Sequence, residues 1–162
     1  MKQLLLLLSV VLISASSCKK DSKDNQPAKT KREILSSGKW LISKSDAVVG
    51  QQGNTQNVNL YNDFMMPCQR DNYYLFNSDG SSTIDEGPSK CSDTSMQTLN
   101  TGTWELREND SKLRFKVQMG IINADVLADI TELNDNTLTL KFDTTYVGMP
   151  ATVTTSFTHI KQ

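Results

Sequence analysis

The chain has 162 residues, a length that allows one small domain with an extension. It carries 17 basic and 18 acidic residues, and 37% of its residues are hydrophobic, so the core of that domain is modest. This charge does not favour a nucleic-acid binder. A single histidine, His159, would have to be the base of any serine or cysteine hydrolase, which excludes most hydrolase arrangements.

The first 17 residues have the three parts of an export signal. Lys2 supplies a positive charge, residues 4–13 are apolar except for Ser9, and small residues follow. A membrane-spanning helix needs about 20 apolar residues, so this segment is too short to be a stable anchor. The segment resembles a bacterial lipoprotein signal peptide whose lipobox is Ala15-Ser16-Ser17-Cys18.

The lipobox resemblance implies that residues 1–17 are removed and that Cys18 is acylated. Ala15 stands where such signals usually have leucine, and Ala15 with Ser17 also satisfies the small-residue rule of ordinary signal peptidase. The alternative is therefore a secreted protein that begins with an unmodified Cys18. Cysteine parity favours acylation, because it leaves two cysteines to pair with each other instead of an odd thiol.

Residues 18–33 form the predicted tether. From residue 19 on they include six basic and three acidic residues, a composition typical of a disordered spacer. Lipid chains on Cys18 would anchor this spacer to a membrane. The start Cys-Lys-Lys-Asp is similar to the export signal of surface-exposed lipoproteins of the Bacteroidetes type. We therefore expect an outer-membrane lipoprotein of the cell envelope, either surface-exposed or facing the periplasm.

The remaining residues, 34–162, form the predicted domain, which has ten basic and fifteen acidic groups and no expected nucleic-acid partner. It is preceded by a short helix, predicted from about Ala28 to a stop at Gly38. Residues 39–44 predict a strand and residues 50–63 a long polar loop. Two further strands, 72–76 and 81–85, flank the turn signal Asn77-Ser78-Asp79-Gly80 and predict a β-hairpin.

The second half of the domain alternates apolar and polar residues along short segments. Leu113 and Phe115, for example, alternate with Arg114 and Lys116. The predicted strands here are 102–107, 113–117, 125–133, 138–142 and 153–160. With the three earlier strands, they predict an all-β fold: an eight-stranded antiparallel up-and-down β-barrel with a short N-terminal helix. Such a barrel has room for its own side chains or for one small ligand.

Several short motifs occur in a characteristic order between Ser37 and Ile160. They are Gly38-Lys39-Trp40, Pro67-Cys68 with Asp71, Leu75-Phe76-Asn77 with Asp79-Gly80, Cys91, Gly102-Thr103-Trp104 and Asn136-Thr137-Leu138-Thr139-Leu140. In these motifs the chain resembles the lipocalin-like domains found in many bacterial lipoproteins. The resemblance implies an up-and-down antiparallel barrel and does not imply a known ligand.

Cys68 and Cys91 flank the predicted hairpin. The lipocalin-like resemblance and the exported compartment both favour a disulfide between them. Two free thiols and a metal pair are the alternatives, although two cysteines without nearby histidines cannot make a closed zinc site. A disulfide across this loop would stabilise the fold by roughly 3 kcal/mol in the chain-entropy model.

We expect ten apolar or aromatic residues to line or fill the barrel. They are Trp40, Ile42, Tyr74, Phe76, Trp104, Leu106, Phe115, Leu140, Phe142 and Phe157. Three of them, Trp40, Phe76 and Trp104, are expected to plug its floor, because a first-strand tryptophan does so in lipocalins. Met65, Met66 and Met149 are candidates for the rim of the mouth, and the equally common alternative is that they fill gaps between the loops.

The sequence offers no catalytic or cofactor motif. It has no Gly-x-Ser-x-Gly elbow, and His159 is expected to be structural. The carboxylates of Asp85, Glu86, Asp125, Asp129 and Asp135 do not identify a catalytic pair, and calcium binding through Asn77, Asp79 and Asp85 is less favoured than a plain turn. We therefore expect neither an enzyme nor a resident metal.

Two functions remain open. The first is a membrane-anchored protein that binds a small apolar or amphipathic ligand inside the barrel. The alternative is a protein- or glycan-interaction module of the cell envelope that uses loops 50–66 and 143–151 while its own side chains fill the barrel. A continuous apolar cavity would support the first function, and a solid core would support the second.

Overall fold

A computed structural model describes residues 27–51, 53–119 and 122–160. The predicted signal peptide, Cys18 and most of the predicted tether lie outside these residues. In addition to a 3-10 helix at Pro67–Gln69, the described chain contains two short α-helices and ten strands. They are α1 (Lys31–Leu35), β1 (Lys39–Gln51), β2 (Asn54–Val58), α2 (Leu60–Asp63), β3 (Tyr73–Phe76), β4 (Ser81–Asp85), β5 (Thr98–Thr103), β6 (Glu105–Arg107), β7 (Lys112–Met119), β8 (Ile122–Leu133), β9 (Thr137–Tyr146) and β10 (Met149–Ile160).

Helix α1 begins with a capping box. The backbone N–H of Glu33 donates to Thr30 Oγ1 at 3.2 Å, and the backbone N–H of Thr30 donates to Glu33 Oε2 at 2.7 Å. Hydrogen bonds from the backbone and the side chain of Thr30 hold the pKa of the Glu33 carboxyl below its ordinary value. Residues 31–33, which the sequence placed in the disordered tether, are thus helical, and Lys31 Nζ also donates to the backbone oxygen of Asp110 at 2.8 Å.

Gly38 does not end this helix as the sequence predicted. The helix is capped at Ser36, whose N–H donates to the backbone oxygen of Arg32, and Gly38 lacks the left-handed conformation of a helix-stopping glycine. A β-carbon on Gly38 would lie 2.5 Å from His159 Nε2 and 2.9 Å from the backbone oxygen of Ile160. Gly38 therefore permits a close approach between β1 and β10.

The strands form one antiparallel sheet in the order β5-β4-β3-β1-β10-β9-β8-β7-β6. Long hairpins dominate its second half, where β9 and β10 pair from Tyr146↔Met149 to Thr137↔Thr158. Strand β1 connects the halves, since one edge pairs with β10 and the other edge pairs first with β3 and then with β2. The all-β, lipocalin-like fold class predicted from the sequence is confirmed.

The hydrogen-bonded sheet is not closed into a continuous ring. Its two ends, β5 and β6, are consecutive segments of the chain separated by Trp104, so β5 pairs with β4 and β6 pairs with β7. The predicted strand 102–107 therefore spans both segments. The number of strands equals the predicted eight if β5 and β6 are counted as one strand and β2 is left out. Among the described strands, β2 pairs only with β1.

Two segments predicted as loops contain regular structure. Residues 50–63 include β2, which extends the β1 edge beyond β3, and α2, whose first residue Leu60 is buried. The segment 143–151 is the tip of the β9–β10 hairpin, with a turn at Val147 and Gly148. The first error has a physical cause, because the polar residues of β2 have low strand propensity and pairing with the long strand β1 overrides it.

The core forms where inward-facing residues of the strands meet. Burial alternates along β10, where Ala151, Val153, Thr155 and Phe157 are buried. Along β1 the alternation is shifted at Ser43, a bulge that keeps the inner face continuous. Within the described residues no helix is long and apolar enough to cross a membrane.

Candidate functional site

A connected series of aromatic rings occupies the inside of the sheet. Trp104 packs edge-on against Phe76 with 5.7 Å between ring centroids, and Phe76 packs against Phe115 at 5.6 Å. Tyr74 then contacts Phe115 at 6.4 Å and Phe157 at 5.4 Å, also edge-on. These separations are in the range of favourable aromatic pairs, so the rings fill the space that they surround.

The structure buries nine of the ten residues expected to line or fill the barrel. Leu106 is the exception, because it lies in the short edge strand β6 and is only partly buried. The nine buried residues are Trp40, Ile42, Tyr74, Phe76, Trp104, Phe115, Leu140, Phe142 and Phe157. They belong to one core cluster of contacting side chains.

Helix α1 and the two tryptophans close one end of the sheet, which we call the α1 end. Trp40 Nε1 donates to the backbone oxygen of Leu35, the last residue of α1, at 2.8 Å. Trp104 Nε1 donates to the backbone oxygen of Asn77 at 2.8 Å, and the guanidinium of Arg32 stacks over the Trp104 ring at 4.5 Å. Both indoles are therefore fixed as structural parts of this end.

The opposite end, which we call the α2 end, is covered by residues in and just after α2. Leu60 and Met65 are buried in the core cluster. Phe64 makes an edge-on contact with Tyr146 of β9 at 5.7 Å. Met65, expected at the rim of a mouth, is thus a core residue, whereas Met66 and Met149 are exposed.

An open groove of about 670 Å³ lies on the outer face of the sheet, across β2, β1, β10 and β9. It is lined by Asp46, Ala47, Val48, Asn57, Val58, Asn59, Lys141, Thr152 and Thr154. A neighbouring cleft of about 400 Å³ shares Val48 and Thr152 with it. We call the two together the outer groove, and most of its lining side chains lie at outward positions that alternate with the buried residues of the same strands.

The outer groove offers several kinds of polar group around one apolar side chain. Asp46 lies opposite Thr154, which in turn lies opposite Lys141, so a carboxylate, a hydroxyl and an ammonium group follow one another across three strands. Val48 is 46% exposed. Thr152 Oγ1 donates to Asp143 Oδ1 at 2.7 Å. This mixture suits contact with a polar surface or a glycan better than with a purely apolar molecule.

Two further clefts, of about 680 and 330 Å³, share Arg114 and Asp125 on the outer face of β6, β7 and β8, and the smaller one also borders the end of β5. Arg114 Nη2 lies 2.9 Å from Asp125 Oδ2, and Arg114 Nη1 lies 3.6 Å from Glu105 Oε1. The hydrogen bond and charge of Asp125, with the charge of Glu105, raise the pKa of Arg114. These charges neutralise one another within the sheet, so this face is a weaker candidate than the outer groove.

The predicted disulfide is confirmed. Cys68 and Cys91 are bonded, with their Cα atoms 5.1 Å apart. The bond joins the connection after α2 to the connection between β4 and β5. It therefore holds together two connections that are distant in the sequence.

His159 lies beside Ser37, and this serine–histidine contact within the described chain bears on the enzyme question. Ser37 Oγ is 3.2 Å from His159 Nε2, and the same hydroxyl donates to the backbone oxygen of Ile34 at 2.7 Å. Because a hydroxyl has one proton, Nε2 acts as the donor to Ser37 in this arrangement and not as a base. The His159 ring also stacks on Trp40 at 4.8 Å between centroids. The contact between Ser37 and His159 connects the end of β10 to the segment that follows α1.

The carboxylates considered for metal binding are separated or already engaged. Asp79 and Asp85 lie at opposite ends of β4. Asp79 Oδ1 accepts hydrogen bonds from Ser81, and Asp85 Oδ1 accepts from Gln97 and Gly87. Across the described residues, no group of three or more histidine, cysteine, aspartate or glutamate side chains is placed to hold a metal ion.

The residues of the outer groove were not predicted from the sequence. The predicted site residues are apolar, whereas the groove is formed largely by the polar positions between them, such as Thr152 and Thr154 in β10. A run of threonines on one strand face was the available signal. The other side chains of the groove come from β1 and β9, which flank β10, and from β2, which was not predicted.

Comparison with known proteins agrees with this architecture. The family model described as "Lipocalin-like domain" matches residues 37–140, which is more than half of the chain. The match includes β1 to β8 and the start of β9. No curated protein matches the chain. The chain belongs to the lipocalin-like domain family.

Proposed function

We propose that this protein is a binding protein of the cell envelope whose partner occupies the outer groove, while the interior of the barrel is structural core. The observation that carries the proposal is the contrast between the inside and the outside of the sheet. Inside, contacting rings from Trp104 to Phe157 fill the space. Outside, a groove of about 670 Å³ remains open to solvent.

The location of the groove agrees with the interaction hypothesis from the sequence. Segment 50–66 contributes Asn57, Val58 and Asn59, and segment 143–151 borders the smaller cleft through Asp143, Thr144 and Pro150. We propose a protein or glycan partner, because the lining alternates hydroxyl, amide and charged groups.

A ligand inside the barrel is the second candidate. One observation favours it: inward-facing residues near the α2 end are small, namely Ala47, Ala124 and Ala151. Leu60 and Met65 fill the adjoining space in the structure. A small apolar ligand would have to displace them, so this candidate requires movement of α2.

Native mass spectrometry of the protein purified from its membrane separates the two candidates. We expect the mass of the processed, acylated chain without a small apolar molecule. A retained glycan or protein should be lost in Thr154→Arg, which fills the groove, and kept in Thr103→Arg, an exposed position on β5. An apolar molecule that stays bound in Thr154→Arg would contradict the outer groove.

We further propose that lipid chains on Cys18 anchor the protein. In support, Lys29 Nζ pairs with Asp135 at 2.8 Å and Lys31 contacts Asp110. The N-terminal part of the described chain therefore lies at the α1 end, away from the α2 end. Cys18→Ala should abolish fatty-acid labelling and release the protein into the soluble fraction. Continued sedimentation of this variant with membranes would contradict the anchor.

A further inference from the structure

Strand β2 presents an edge without a neighbouring strand among the described residues. It pairs with β1 from Ala47↔Val58 to Gln51↔Asn54 and with no other described strand. Residues 54–57 are all exposed, so nothing in the described structure covers this edge. Backbone N–H and C=O groups on the free side of an edge strand are a template for another strand.

The two ends of the sheet, β5 and β6, carry features that oppose such pairing. In β5 the register shifts opposite Ser82 and Thr83, and Gly102 has a φ of 111°, which bends the edge. Strand β6 has only three residues, and two of them, Glu105 and Arg107, form an ion pair at 2.6 Å. Short, bent or charged edges are the usual means by which proteins prevent edge-to-edge association.

Strand β2 has none of these features. Its sequence, Asn54-Thr55-Gln56-Asn57-Val58, contains no proline and no charged residue, and its register with β1 is regular. Unlike β5 and β6, it is therefore an edge without a bend or a charged residue.

We propose that β2 pairs antiparallel with β2 of a second copy of this chain. In a two-fold antiparallel pair, one residue lies opposite itself and its neighbours lie opposite each other in reverse order. With Gln56 at the centre, Thr55 faces Asn57, so amides and hydroxyls meet across the junction and no like charges do. Opposed amide side chains also stabilise pairing of β-strands.

Charge makes a second copy fit here better than elsewhere on the sheet. The region 34–162 has fifteen acidic and ten basic residues, so two copies repel each other on average. A neutral edge permits close approach. The two-fold axis of such a pair is perpendicular to the sheet. The outer faces of both copies therefore lie on the same side of the joined sheet, and the two outer grooves become neighbours.

A scan of single cysteines along β2 tests this pairing. Full-length chains carrying Asn54→Cys, Thr55→Cys, Gln56→Cys, Asn57→Cys or Val58→Cys are oxidised in the membrane and compared on non-reducing gels, with the wild-type chain as blank. Directly opposed β-carbons in a sheet lie about 4.5–5.5 Å apart, close to the separation that a disulfide needs. Mass mapping of the Cys68–Cys91 bond verifies that each variant is folded.

The pairing predicts that a cysteine at one central position of β2 gives several-fold more linked dimer than a cysteine at the other β2 positions. It should also give several-fold more than the control variants Thr98→Cys and Thr101→Cys on β5. A lysine at Thr55 should reduce the yield from the central cysteine, because it places two positive charges at diagonal positions across the junction, within reach of each other. Monomer at all five β2 positions would overturn the proposal. Equal yields from β2 and β5 would overturn it as well.

Discussion

Gly38 and His159 approach each other so closely that no side chain fits between them. A β-carbon on Gly38 would lie 2.5 Å from His159 Nε2, a separation that β-carbons essentially never show. His159 in turn stacks on Trp40, the fully buried tryptophan of β1. The α1 end therefore depends on the absence of a side chain at residue 38.

Gly38→Ala tests that dependence. We expect a loss of about 1–3 kcal/mol in the free energy of unfolding, the usual cost of overpacking a filled site. Combining it with His159→Ala should cost less than the sum of the two single changes, because the imidazole is then absent. Denaturant unfolding of the four proteins measures the coupling, and strict additivity would contradict a direct contact.

The strands were predictable where one face is buried and the other is exposed to solvent. Alternation in β7, β9 and β10 follows the burial seen in the structure, and the turn at Asn77–Gly80 connects β3 and β4 as expected. Local signals suffice there, because each hairpin buries its own apolar face. Strand β2 was not predictable, since Asn and Gln residues form a strand only when β1 pairs with them.

Asp85 gives the protein a pH dependence of stability. Burial raises the pKa of its carboxyl, but hydrogen bonds from the Gln97 side chain and the Gly87 N–H, with the charge of Lys39, lower it by more. The folded pKa thus lies below the unfolded one. The ionised carboxyl stabilises the fold above the unfolded pKa, and this contribution is lost as the pH falls through the folded pKa.

Replacing Asp85 should therefore flatten the acid limb of the stability curve. In Asp85→Asn, we expect a smaller difference between the unfolding free energies at neutral pH and at pH about 3, below the ordinary range of aspartate. Gln97→Ala keeps the carboxyl and removes one hydrogen bond, so its pH dependence should be intermediate. An acid limb identical to that of the wild-type protein would contradict this role.

The Cys68–Cys91 bond should contribute chiefly by restricting the unfolded chain. It joins residues 23 apart, and the chain-entropy model gives roughly 3 kcal/mol for a loop of that order. Replacing both cysteines by serine should lower the free energy of unfolding by that amount in urea titrations. A change close to zero would show that the two connections are held by their other contacts.

The binding surface was less predictable than the core. Burial of Trp40, Phe76 and Phe115 follows from their size and apolar character. The groove residues Asp46, Asn57 and Lys141 come from three strands, and only the order β2-β1-β10-β9 brings them to one face. Composition carries no information on that order.

Site-specific photo-cross-linking in living cells tests the central claim, that the partner occupies the outer groove, most directly. The photoreactive residue p-benzoyl-phenylalanine is placed at Val48, which lines both parts of the groove, and at Thr103 on β5 as the control. We predict a discrete cross-linked protein or glycan adduct from Val48 and none from Thr103. Adducts from Thr103 alone, or none from Val48 while a small apolar molecule co-purifies with the protein, would contradict the account.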